Sequence, residues 1–198
     1  MPSDSFQELS TAYMRAEVAI KDAERLCDKL SIPSLNEIRC AMYHVMRTSG
    51  DMRALEACDE MQKAVSHCRR AYFDAREMEM AALYDASGRV LAALSKYAEA
   101  VNKVFLSYTD HKAKAIAARK AISAAGSVKV KDNREEHYET FDSHCLALRE
   151  FLCDYETYQD DIDNAIFWVK IKRTGIVLAM VFGFVSATAA VLKFFLLS

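Results

Sequence analysis

The chain has 198 residues, 52% of them hydrophobic, with 26 lysines and arginines against 28 aspartates and glutamates for a formal net charge of −2. That near balance excludes a broadly basic nucleic-acid binder, although a local basic patch stays open. Two prolines and five glycines in the whole chain, with no run in strict two-residue alternation, argue for an all-α fold.

In chain order, the first helix is expected from about Ser5 to Leu30, with Asp4 or Ser5 as cap. Its apolar stripe is Phe6, Leu9, Tyr13, Ala16, Ile20, Ala23, Cys27 and Leu30, a 3-4 spacing. A turn over 31–34 follows, and Ser34 with Glu37 fits a capping box for helix two, whose apolar face is Leu35, Ile38, Met42 and Val45. Residues 48–51 end that helix. A long helix then runs to about Ser107, or bends at 85–88, carrying the stripe Val90, Leu94, Tyr97, Val101, Val104 and Tyr108. A further helix covers roughly Asp110 to Ala125, and 126–132 is the clearest loop. From Asn133 onward a third stripe, Phe141, Cys145, Leu148, Leu152, Tyr155, Ile162, Ile166 and Val169, is broken only by the polar Gln159. Stripes of this kind bury against partner helices at shallow angles, so a helical bundle with long helices is expected. No internal repeat or low-complexity tract stands out.

The last 25 residues, Thr174 to Ser198, hold no acid and a single base, Lys193. About 20 apolar helical residues cross a bilayer, so this segment is expected to span one. A signal peptide would be N-terminal, whereas this chain opens on polar residues. Lys170, Lys172 and Arg173 precede the segment, and Trp168 sits where an interfacial aromatic would. The positive-inside rule then places the rest in the cytoplasm, giving a helical domain over 1–168, an anchor over 169–198, and a single-pass protein of the inner membrane. Setting aside Lys172, Arg173 and Lys193 leaves 23 bases against 28 acids, a net −5 for the body. Six cysteines without a CxxC pair read as reduced thiols, in keeping with a cytosolic body. Gly175, Ala179, Gly183 and Ala187 recur every four residues, a small-residue ridge on which tail helices can pack into a homo-oligomer within the lipid bilayer. No charge lies mid-span, which argues against a proton pump.

The one constellation with catalytic character is Arg39-x4-His44. On a helix the two lie about 140° apart, at opposite edges of the polar face, so a second protomer packed face to face is what would bring them together. Asn36 and Tyr43, on the same helix, are candidate interface residues. The pairs Cys40/His44, His67/Cys68 and His144/Cys145 lack a third converging ligand, so no metal site is expected. No phosphate loop or dinucleotide fingerprint is present, and no cofactor is expected. The acids between Asp154 and Asp163 read as a solvated helix face.

The Arg39-x4-His44 spacing, with Ile32-Pro-Ser-Leu-Asn-Glu-Ile-Arg39 before it and His67-Cys-Arg-Arg-Ala-Tyr-Phe-Asp74 after it, resembles the HEPN superfamily over about residues 5–110. The resemblance implies a small helical bundle. In its active members the Arg and His meet at a dimer interface in a metal-independent ribonuclease. Carried over, Arg39 would stabilise the phosphate and His44 would act on the 2′-hydroxyl or the leaving group. Cys40 departs from the polar residue that active members usually carry there. With its tail, the chain is similar to the small transmembrane accessory proteins of type VI CRISPR systems, which act as oligomeric membrane effectors. That likeness implies a prokaryotic antiviral effector that perturbs or permeabilises the inner membrane when a partner, an RNA-guided effector protein or RNA, signals. The rival readings are a membrane-tethered HEPN ribonuclease and a tail-anchored coiled-coil adaptor.

Overall fold

The computed structural model describes the backbone of residues 2–48, 54–125 and 134–196, and side chains for all of these but 2–3, 54, 125, 134–137, 139–140 and 187–196. The protein is all-α. Its helices are α1 (Pro2–Cys27), α2 (Ile32–Thr48), α3 (Ala54–Ser95), α4 (Ala98–Val104), α5 (Tyr108–Ala125), α6 (Arg134–Thr157) and α7 (Gln159–Leu196), and no strand occurs among the described residues. The 42-residue α3 is the central pillar. Its first half takes α1 and α2, its second half takes α6 and α5, and α4 packs on α7.

Small side chains set the first of these contacts. Ala16, Ala19 and Ala23 of α1 meet Ala71 and Ala75 of α3, all buried, with Ile20 between them. Alanine faces let two helices close at short range and still fill the space between them. The stripe expected on α1 is therefore corrected. Leu9, Ala16, Ile20 and Ala23 are buried, but Phe6, Tyr13 and Leu30 are exposed. The helix ends at Cys27, and Asp28 takes the left-handed conformation (φ 51°) that stops it.

The expected capping box is also corrected. Helix α2 begins at Ile32, ahead of Ser34. The Ser34 hydroxyl pairs with that of Ser31 at 2.6 Å, and the Ser31 N–H donates to a Glu24 carboxylate oxygen of α1 at 3.0 Å. Glu37 is drawn away to α3. On α2, Ile38 and Val45 pack inward around buried Ala41, while Leu35 and Met42 are exposed.

Helix α3 continues without a break through 85–88 but ends at Ser95, short of the expected Ser107. Gly88 serves close approach there. A Cβ at this position would lie 2.6 Å from Nη1 of Arg119 on α5. The Arg119 guanidinium instead passes over the Tyr84 ring at 3.8 Å and donates to Ser87 Oγ at 3.3 Å.

The larger core follows the second and third stripes. Leu94, Val101 and Tyr108 are buried with Phe141, Cys145, Leu148 and Ile162, and Phe105 and Phe151 join them. Across α3 and α6, the buried Glu79 binds Arg76 and also Arg149, the latter at 2.5 Å, while Arg76 also binds Asp142. The third stripe is carried by two helices, α6 and α7, divided at Tyr158, whose ring stacks on Phe105 at 5.0 Å. The expected loop at 126–132 lies outside the described residues. Helix α7 then continues unbroken past the expected domain boundary at 168/169.

Candidate functional site

Two octets that share the pattern Glu-x3-Ala-x2-His face each other across α2 and α3. One is Glu37-Ile-Arg-Cys-Ala41-Met-Tyr-His44, the other Glu60-Met-Gln-Lys-Ala64-Val-Ser-His67. In each, Glu, Ala and His fall at i, i+4 and i+7, on one helix face. The helices run antiparallel, so each His meets the other octet's Glu. His44 Nδ1 lies 2.7 Å from Glu60 Oε2, and His67 Nδ1 lies 2.7 Å from Glu37 Oε2. Ala41 and Ala64 are buried between the two pairs and allow the approach. The imidazoles stack, with centroids 5.1 Å apart.

Cations complete the cluster. Arg70 Nε donates to Glu37 at 3.0 Å, and Arg70 Nη2 lies 3.2 Å from His67 Nε2. The same Nη2 lies nearer still to His67 Nδ1, at 2.8 Å, so the Arg70 guanidinium sits against both ring nitrogens. Lys63 donates to Glu60 at 2.9 Å, and Arg47 stands 3.4 Å from the same carboxylate. The hydrogen bonds from His44 and Lys63, with the Arg47 charge, hold the Glu60 carboxyl down at about 2. Burial pushes the Glu37 carboxyl up, but the His67 hydrogen bond and Arg70 outweigh it and leave it below its ordinary value. A carboxylate that fixes Nδ1 orients an imidazole for proton transfer at Nε2, so Glu60–His44 has the form of a general acid–base dyad.

The expected Arg39/His44 pair is split within one protomer. His44 faces α3, while Arg39 is exposed on the far side of α2 with Asn36 and Tyr43. The Tyr43 ring meets His44 edge-on at 5.5 Å. Arg39 has no ion-pair partner among the described residues. Glu60 and His67 were not foreseen as partners of His44, nor Glu37 as the partner of His67. The repeated Glu-x3-Ala-x2-His octet was the signal that could have revealed them.

A groove of about 630 Å³ opens between α1, α3 and α6 over the Glu79 cluster. Burial, with the Glu79 charge, raises the Cys145 thiol on its floor to about 11, so it stays protonated and is no nucleophile. Among the described residues no group of three or more His, Cys, Asp or Glu is placed to hold a metal ion.

The tail is the other candidate. From Gly175 to Ser186 every described residue of α7 is exposed, and a Cβ at Gly175 or at Gly183 would meet nothing within 4 Å. Ala179 is exposed on the same ridge, while the side chain of Ala187 lies outside the described residues. Among the described residues no helix is long and apolar enough to cross a membrane. The expected span, 174–198, has its side chains described only to Ser186. Comparison with protein-family models, with curated proteins and with solved structures finds no match.

Proposed function

We propose that this chain is a membrane-anchored, homo-oligomeric effector whose helical body sits in the cytoplasm and whose tail helix crosses the inner membrane. The observation that carries this reading is the bare apolar surface of α7. Ile176, Val177, Leu178, Met180, Val181, Phe182, Phe184 and Val185 are all exposed on a helix that leaves the body behind. Water does not tolerate a surface of that kind on a monomer, and lipid together with neighbouring tails would cover it. A lone apolar helix opens no path through a bilayer, because its backbone is satisfied internally and its side chains suit lipid. Several copies packed on Gly175, Ala179, Gly183 and Ala187 are therefore required. On the HEPN-like resemblance, the trigger is a partner of an antiviral defence system, an RNA-guided effector protein or RNA, and the result is a perturbed membrane.

Gly183→Leu tests this reading. It blocks close approach but keeps the segment apolar. Insertion should persist, the oligomer in mild detergent should shrink, and membrane depolarisation in triggered cells should fall with it. A wild-type protein that is monomeric in cross-linked membranes would overturn the reading and favour the tethered adaptor.

The Glu60–His44 dyad favours a second reading, a membrane-tethered ribonuclease in which Arg39 comes from another protomer. Metal-independent RNA cleavage by purified protein, lost in Arg39→Ala, would put this reading first.

A further inference from the structure

Two ring contacts fix how the body meets its tail. Phe105 stacks on Tyr158 at one end of α4, and at the other end Tyr97 receives Lys170 Nζ at 5.9 Å and the Arg173 guanidinium at 5.6 Å from its ring centre. Helix α4 therefore lies antiparallel to the start of α7, with Tyr97 at the foot of the bare segment. On α7, Lys170 and Arg173 are three residues apart and share the face toward Tyr97, while Trp168 and Lys172 are four apart on the opposite face. Lys96, beside Tyr97, is exposed, as are Lys170, Lys172 and Arg173. None of these cations has a carboxylate partner among the described residues. The nearby Glu99 is engaged by Lys103 at 3.6 Å. On α7 the preceding acid is Asp163, seven residues before Lys170 and so about 10 Å back along the helix. Cations encircle the helix at one level, and a tyrosine and a tryptophan flank them.

We propose that this collar is a binding site for the anionic headgroups of phospholipids, formed by Lys170, Lys172 and Arg173 of α7 with Lys96 and the Tyr97 ring contributed by the body. It rests on the membrane-anchored reading. Unpaired cations at the level of a headgroup phosphate gain from its charge, and amphipathic rings favour the same depth. Tyr97 adds more than apolar area. By holding Lys170 and Arg173 against the body, it sets the end of α3 at the bilayer surface and so fixes the angle at which the body stands.

Trp168, the chain's single tryptophan, reports on the collar. The full chain in an uncharged detergent is titrated with short-chain phosphatidylglycerol, and in parallel with short-chain phosphatidylcholine, following Trp168 emission. Phosphatidylglycerol should give a saturable change at a concentration at least tenfold lower than phosphatidylcholine. Lys170→Gln with Arg173→Gln should weaken it about 25-fold, from about fivefold for each base near an anionic surface, whereas Lys120→Gln on α5 should leave it unchanged. Equal response to the two lipids, or an unaltered response in the double variant, overturns the proposal. Inorganic phosphate reproducing the change would overturn it in favour of a free-anion site. Displacement of phosphatidylglycerol by short single-stranded RNA would overturn it in favour of a nucleic-acid patch. Alkaline extraction of native membranes separates the two readings. A chain that resists extraction without preferring phosphatidylglycerol keeps its anchor and loses the headgroup site. A chain that is extracted loses the anchor reading itself.

Discussion

His44 and His67 stack with centroids 5.1 Å apart and planes 22° from parallel, and each is bound at Nδ1 by the carboxylate that stands seven residues before the other. This reciprocity clamps α2 to α3 at two points one heptad apart. Both ring pairs are only partly buried, so the clamp is open to tests by pH and by substitution.

In acid the clamp weakens through its carboxylates. Glu60 falls from an ordinary 4.5 to about 2 on folding. A depressed carboxyl contributes stability that is fully present above the unfolded value and is lost as pH falls through the folded one. The window is therefore from about 4.5 down to about 2, and Glu37, lowered in the same sense, acts with it. Urea midpoints of the wild type should drop across that window more steeply than those of Glu60→Gln. Parallel curves would show that Glu60 is not held as described.

Coupling across one pair should be measurable. In a double-mutant cycle of Glu37→Ala and His67→Ala, the interaction free energy should be about 1 kcal/mol, the value usual for a partly exposed charged hydrogen bond. Ala64→Leu forces the helices apart where Ala64 is fully buried, and should cost about 2 kcal/mol. A leucine tolerated at position 64 without loss of thermal stability would contradict the packing of α2 on α3.

Glu79 is the deepest charge among the described residues, 1% exposed and shared by Arg76 and Arg149. Removing one member of a buried pair leaves the other charge uncompensated. Glu79→Ala should therefore cost about 3 kcal/mol and loosen α6 from α3 in hydrogen exchange, with α1 and α2 less affected. Uniform loosening of every helix would argue against a tie specific to α6.

The stripes of α3–α4 and α6–α7 were legible in the sequence because bulky residues such as Leu94, Val101, Phe141 and Leu148 carry them. The buried face of α1 was legible in part, through Leu9, Ala16, Ile20 and Ala23, but much of it is built of alanines that carry little pattern. A close helix contact selects for small size, which leaves Phe6 and Tyr13 of the expected stripe outside. Glu37 reads locally as a capping partner of Ser34. Its actual partner, His67, lies 30 residues away, beyond the reach of any single-helix periodicity. The separation of Arg39 from His44 did follow from helical spacing alone. The engagement of His44 by Glu60 has a practical consequence. His44→Ala will disturb the fold, so Arg39→Ala, on an exposed side chain, is the cleaner probe of catalysis. That variant should melt within about 0.5 kcal/mol of the wild type, and a larger loss in the isolated protein would mean that Arg39 has a structural partner.

The central claim is that α7 fastens the body to a membrane. It is tested most directly by fractionating cells that express the full chain and a chain ending at Val169. The full chain should stay in the membrane fraction through alkaline extraction, and the truncated chain should be released as a folded helical protein. Retention of the truncated chain, or release of the full one, would contradict the account.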